Sequence, residues 1–218
     1  MSAHVTIAAV LARFRKDEKG ATLVEFAMVI ALFLFIFFGL IDFGRLAFHW
    51  VMAERAMSMA ARVAAVRPPV CSGVPDTNLA GSVVPPARFG TLCSAAAGTC
   101  ATPPAATLTC PGNLTNATSV EIWNMVADAL PDTTTTAASP ANIQYTYSFD
   151  PNLGFLGGPY IPIVTVELNN LDFEFISAVG GLASIAGFAS GTTAFGTIPF
   201  PSMSVSLPGE DLALGTNG

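Results

Sequence analysis

No lysine or arginine occurs after Arg88, although nine of the fifteen acidic residues do, from Glu121 to Asp211. A distal region that is purely acidic excludes nucleic-acid binding there, because phosphate contacts need basic side chains. Histidine is almost absent, with His4 and His49 alone. That scarcity excludes a Ser-His-Asp or Cys-His catalytic set in the distal region. No G-x-S-x-G, Walker loop or H-E-x-x-H pattern occurs, and the four cysteines form no C-x-x-C. No catalytic residue, metal site or cofactor is therefore expected, and the chain does not read as an enzyme. Glu167, Asp172 and Glu174 are the one carboxylate group considered for acid–base or Ca²⁺ chemistry, and they read as a solvated strand face. Charged residues make up only 11% of the chain, against 52% hydrophobic. That balance fits a membrane-attached protein better than a freely soluble one.

Proline is missing from Ala21 to Arg67, and the sixteen residues Phe26–Ile41 carry no charge. From Ala21 to Ile41 a helix would rise roughly 30 Å, about one hydrocarbon core. Three readings compete: a cleaved secretory signal, a plain signal anchor, and a prepilin-type signal cut ahead of the apolar block. The first fits poorly, since Asp42 and Arg45 stand where a small-residue cleavage site would be. Glu25 lies just inside the block, where an unpaired acid is costly and hence a functional candidate. Basic residues flank the block on both sides, so the positive-inside rule gives no orientation. Cys71, Cys93, Cys100 and Cys110 do, because an even set in a Pro/Gly/Ala-rich region reads as two disulfides in an oxidising compartment. Three pairings are open.

The helical pattern continues past the apolar block to Pro68-Pro69, which ends it. Ala53, Ala56, Met57, Ala60, Ala61 and Ala64 recur on one face. Such a small-residue seam either lets neighbouring helices approach closely or packs on the protein's own distal part.

Gly20 followed by Ala21-Thr22-Leu23-Val24-Glu25-Phe26-Ala27, the long apolar run, Asp42-Phe43-Gly44-Arg45 and then Ala60-Ala61-Arg62 resembles the TadE/TadG-like proteins. These are minor, pilin-like components of the Flp (tight-adherence) type IV pilus system. The resemblance covers residues 19–67. It implies cleavage after Gly20 by a membrane prepilin peptidase, leaving Ala21 as the new N-terminus and Glu25 as the fifth mature residue. Phe26 stands where Flp pilins usually carry Tyr, which speaks against a major subunit. Glu25 would lie about 6 Å along the helix from the new amine. The acid of one subunit could then neutralise the amine of the next and fix axial register. The implied partners are the prepilin peptidase, other pilin-like subunits, an inner-membrane assembly platform and the membrane itself. The implied location is the bacterial inner membrane, crossed once, with the C-terminal domain in the periplasm.

The sequence divides into a leader (1–20), a transmembrane and extended helix (21–67), a Cys-containing Pro/Ala/Gly-rich loop region (68–117) and an α+β head (118–218). Thr118-Ser119-Val120-Glu121 has a capping-box pattern, and Val120, Trp123, Val126, Ala127 and Leu130 mark a helix face stopped by Pro131. After a linker at 133–139, Ile143, Tyr145, Tyr147 and Phe149 alternate as a strand. Asp150–Pro159 is a loop. Residues 160–168 and 171–175 form one strand or a broken pair, and Met203, Val205 and Leu207 a last strand. The uncharged stretch 175–200 reads as a short helix near 176–187, with a partner-binding patch or a second membrane span as alternatives. The fold class is α+β, a long N-terminal helix followed by a disulfide-containing head of helix and antiparallel sheet. Two functions fit: a minor pilin-like assembly subunit, or a singly anchored envelope protein whose acidic head binds a ligand or surface.

Overall fold

The computed structural model describes residues 21–131, 137–177, 196–210 and 212. The chain divides into two compact units, Met1–Gly44 with Phe175–Gly196, and Arg45–Glu174 with Thr197–Gly218. The longest element is helix α1, Ala21–Val66, 46 residues without a break. It stops where expected, because Pro68 has no N–H to continue the ladder and disfavours helical geometry at Arg67.

In the first unit, the α1 side chains from Leu23 to Phe38 are exposed on every side of the helix. Among the described residues, one helix is long and apolar enough to cross a membrane, by length and composition. A helix that is apolar all round is stable only with apolar surroundings. Asp42 breaks this pattern by being fully buried. Phe175 donates its N–H to Gly196 O (3.3 Å), and the Phe43 and Phe175 rings meet edge to face at 6.1 Å. The helix expected near 176–187, like any second span in that stretch, lies outside the described residues.

The second unit holds the α+β head. Its main sheet has four antiparallel strands in the order β1-β2-β3-β6: Thr107–Pro111, Ile143–Ser148, Ile163–Leu168 and Met203–Pro208. A separate pair joins β4, Asp172–Glu174, to β5, Thr197–Pro199. The period of two in the sequence sets the faces: Ile143, Tyr145, Tyr147, Val164, Val166 and Leu168 are all buried. The opposite face is a row of hydroxyls. Thr109 pairs with Thr146 (3.1 Å) and Thr165 with Ser206 (2.7 Å) across neighbouring strands.

The expected strand at 160–168 starts only at Ile163, since Pro162 cannot donate to a ladder. Its continuation is the broken alternative: the chain turns at Asn169-Asn170, where Asn170 takes a left-handed φ of 53°, before β4 begins. Two strands were not anticipated. β1 lies inside the stretch read as loop, and β5 inside the uncharged stretch before Phe200.

Helix α2, Ala117–Val126, begins one residue before the expected capping box. Its cap is Asn116, whose side-chain oxygen accepts from Ser119 N (3.0 Å). Thr118 and Ser119 are turned inward instead: Thr118 donates to Pro68 O (2.8 Å), and Ser119 Oγ accepts from Asn113 N (2.8 Å). The buried stripe accordingly runs through Thr118, Ser119, Ile122 and Val126, leaving Val120 and Trp123 half-buried. A 3₁₀ turn, Ala127–Ala129, ends at Leu130, extended ahead of Pro131.

The alanine seam belongs to this second unit and is closed. Ala53, Met57, Ala60, Ala61 and Ala64 have no exposed surface within the single chain, so this face packs on the protein itself. The C-terminal end of α1 is fastened at several points. Arg67 pairs with Glu121 (3.0 Å), Asn116 donates to Pro69 O (3.2 Å), Val70 N donates to Tyr147 Oη (3.0 Å), and Glu210 N donates to Ala65 O (2.6 Å).

The four cysteines form two disulfides, Cys71–Cys110 and Cys93–Cys100. The first ties the chain after α1 to β1, placing Cys110 opposite Tyr145 in the register. The second forms a small cluster with Leu156. Around it the cysteine region and the Asp150–Pro159 loop bond to each other. Cys93 N donates to Gly154 O, Leu156 N to Thr91 O and Gly157 N to Asn78 O. Gly154 and Gly157 hold φ near +80°, which only glycine adopts without strain.

Candidate functional site

Gly20 lies outside the described residues, and Ala21 opens α1. One turn on, Glu25 and Phe26 are exposed, Phe26 by 64%. Glu25 has no hydrogen-bond or ion-pair partner among the described residues. Its place at the start of an unbroken helix follows from the absence of Pro and Gly between Ala21 and Phe38. A carboxylate held this way on an apolar helix end can meet a cation supplied from outside the chain.

Asp42 acquired no role of its own from the sequence beyond its place in the Asp42-Phe43-Gly44-Arg45 pattern. The fold gives it one. Its carboxylate accepts the backbone N–H groups of Ile176 (3.1 Å) and Ser177 (3.0 Å), and the Ser177 hydroxyl makes a further short hydrogen bond. These contacts satisfy a buried acid through fixed dipoles, as burial demands. Phe38, Ile41, Asp42, Ile176 and Ser177 line a cavity of about 290 Å³. The signal was present in the sequence: an acid between Ile41 and Phe43 is affordable only with built-in donors.

The second unit contains a larger cavity, about 540 Å³, on which Arg45, His49, Trp123, Asp128 and Leu130 converge. Arg45 and His49 are four apart on α1 and so share a face. The Arg45 guanidinium lies 5.3 Å from the centroid of the Phe173 ring, a cation–π distance. The His49 ring sits 6.2 Å from the same ring, and its Nδ1 is buried with no hydrogen-bond partner among the described residues. Asp128 is exposed at the rim. The sequence suggested none of these as a site, because Arg45 and Trp123 meet only after folding.

The carboxylates weighed earlier do not converge on a buried point. On β4, Asp172 is exposed and Glu174 half-buried, while Phe173 between them turns inward. Among the described residues no three His, Cys, Asp or Glu side chains come together as a candidate metal set. Elsewhere in the head, burial pushes the Tyr145, Tyr147 and Tyr160 hydroxyls up from the ordinary tyrosine value. The nearby Ser119 hydroxyl eases the effect at Tyr145, though without the alignment of a good hydrogen bond. The Val70 N–H does the same at Tyr147. These are the marks of a packed head, where tyrosines stay neutral.

Asn113 and Asn116 serve the turn into α2. Asn113 Oδ1 accepts from Thr115 N (2.9 Å) and Asn116 N (2.8 Å), and Asn116 caps the helix.

Neither the curated proteins nor the solved structures contain a match to this chain. A family model does match, that of the TadE-like proteins, over residues 20–62. The match begins at Gly20 and takes in Glu25, the apolar run, Asp42 and most of α1. The amino-terminal segment of this chain is therefore TadE-like, as the pattern from Gly20 to Arg62 implies.

Proposed function

We propose that the chain is a minor pilin-like subunit that helps assemble a Flp-type pilus from the bacterial inner membrane. The observation that carries this reading is the coincidence of the TadE-like match with one unbroken helix whose first turns expose Glu25. In this reading a prepilin peptidase cuts after Gly20 and frees the Ala21 amine. Glu25 of one subunit pairs with the amine of the next, and a pairing made away from water fixes the axial offset between them. Residues 22–43 of α1 hold the protein in the membrane. The head projects into the periplasm, where two disulfides are at home. Its partners are other pilin-like subunits and the assembly platform.

Mass spectrometry of the membrane form tests the processing step: the expected polypeptide begins at Ala21. Gly20→Asp should block cutting and leave the leader attached. Glu25→Ala should be cut normally yet fail to enter assemblies recovered by shearing. An uncut native chain would favour the non-polymerising envelope protein instead. Normal incorporation of the Glu25→Ala chain would remove the register role.

A further inference from the structure

The second unit displays an apolar knob that has no part in the assembly chemistry just described. Phe89 is 83% exposed and Leu92 60%, and Arg88 beside them is exposed as well. Single exposed apolar side chains are ordinary on a protein surface. These are grouped and braced. Gly90 N donates to Leu156 O (2.9 Å), Leu156 N to Thr91 O (2.8 Å) and Cys93 N to Gly154 O (3.2 Å). Leu92 and Phe155 face each other across this short ladder. The bonds run through their neighbours, so the two side chains form a close pair. A side chain at Gly157 would overlap the Phe89 ring, and glycine there gives the ring a seat on bare backbone. The Cys93–Cys100 bridge closes the loop behind them. A large apolar group held this way loses little freedom on binding.

Arg88 is the last basic residue of the chain, with nine acids after it. A surface that complements the knob is concave, apolar and acidic at its edge. The cavity of about 540 Å³ in the same unit has these properties. Trp123, Ala127 and Leu130 give it apolar walls, and Asp128 stands exposed at its rim. Its volume is ample for a phenyl ring, which Trp123 can meet edge to face. Neither Arg88 nor Asp128 makes an ion pair among the described residues.

Knob and cavity lie at opposite ends of β2 and so do not meet within one chain. Ala137 and Ala138 of the cavity lining come shortly before Ile143, where β2 begins. Phe173, stacked with Arg45 at the same cavity, follows Leu168, the residue opposite Ile143. The loop that seats Phe89 lies between Ser148, where β2 ends, and Ile163, where β3 begins. Six strand residues span about 20 Å. Two copies set end to end bring the knob of one to the cavity of the other. The two patches differ, so each pair keeps a free knob at one end and a free cavity at the other, and the contact can repeat.

We propose that Phe89 of one head enters the cavity beside Trp123 and Leu130 of a second copy of this chain, with Arg88 paired to Asp128 at the rim. The inference deepens the assembly reading and rests on it for bringing copies side by side.

The test uses the full chain in non-ionic detergent. One population carries photoreactive p-benzoyl-phenylalanine in place of Phe89, and the other is labelled with ¹⁵N. After irradiation, mass spectrometry should find the probe joined to ¹⁵N peptides from residues 123–138. Arg88→Asp in the probe-bearing copy should lower that yield about fivefold, since attraction at the rim becomes repulsion. Asp128→Arg in the labelled copy should restore it. Both positions are exposed, and circular dichroism checks that each variant keeps its fold. Phe89→Ser should weaken self-association of the otherwise unaltered chain about tenfold or more in sedimentation. Cross-links confined to the probe's own chain, or to residues 84–92 of the second copy, would overturn the proposal. So would a charge-swapped pair that stays as poor as Arg88→Asp alone. Recovery of sheared pili separates the two readings. A native chain that enters pili but gives no cross-link at 123–138 overturns the knob contact alone. A chain that gives the cross-link and never enters pili overturns the assembly reading and leaves the contact standing.

Discussion

Removing the two disulfides one at a time should have unequal effects. Cys71–Cys110 closes a separation of 39 residues and Cys93–Cys100 one of 7. In the chain-entropy account, the first removes about 3.9 kcal/mol of denatured-state freedom at 25 °C and the second about 2.4 kcal/mol. The gap, about 1.5 kcal/mol, is a little over a factor of ten in the unfolding equilibrium. Native contacts widen it. Cys71 follows Val70, whose N–H donates to the Tyr147 hydroxyl, and Cys110 sits opposite Tyr145. Loosening that bridge therefore loosens the join between the end of α1 and the sheet. The Cys93–Cys100 neighbourhood keeps its backbone bonds to the 154–157 loop without the sulfur link. The assay is urea unfolding of the full chain in mild detergent, followed by the fluorescence of half-buried Trp123. Cys71→Ala/Cys110→Ala is compared with Cys93→Ala/Cys100→Ala. With a urea slope of about 2 kcal/mol per molar, the midpoints should differ by about 0.7 M or more. Equal midpoints, or a lower one for the short-loop variant, would refute the reasoning.

Other expectations follow from the packing. Ala60→Leu adds three carbons at a site with no exposed surface and should cost about 1–3 kcal/mol in the same assay. Asn116→Ala removes the α2 cap and its bond to Pro69 O, so a loss of about 1–2 kcal/mol is expected, read as a lower urea midpoint. Arg67→Ala should cost under about 1 kcal/mol and lose its effect in high salt, because both partners are about two-fifths exposed. Alkali should unfold the head. Tyr145, Tyr147 and Tyr160 are held neutral by burial, so their folded-state values lie above the ordinary one. Above about pH 10 the unfolded chain gives up those protons first, and stability falls with further rise in pH. Thermal melts across pH 8 to 12 should be flat at first and then decline; a flat profile to the end would contradict the burial of these hydroxyls.

Elements with strong one-dimensional signals were legible. Helix α1 announces itself by an unbroken apolar run, and the two prolines after Arg67 set its end. β2 and β3 follow from plain alternation in Ile143–Tyr147 and Val164–Leu168. What escaped depended on partners. β1, Thr-Leu-Thr-Cys-Pro, is too short and too polar to stand out, and is a strand because β2 lies beside it. β5 is three residues and exists only through β4. Thr118-Ser119-Val120-Glu121 promised a cap two residues late, because Thr118 and Ser119 had better bonds to make with Pro68 and Asn113. The disulfide pairing was one of three until β1 carried Cys110 to Cys71. Of the candidate site, Gly20, Ala21, Glu25 and Phe26 are a linear motif and readable as one. Asp42 with Ser177, and Arg45 with Trp123, are separated by more than seventy residues and needed the fold.

The closed alanine face has a consequence for spacing. Small residues allow helix axes to approach closely, and α1 uses its supply of them, from Ala53 to Ala64, internally. A neighbouring helix that approaches this stretch meets Phe48, Val51, Arg55, Met59, Arg62 and Val66, all exposed. Large side chains hold axes near the ordinary 8–10 Å, and two arginines on the contact repel their own kind. Outside the apolar block, then, α1 favours an unlike neighbour at full side-chain distance, one that brings acidic groups to the stripe.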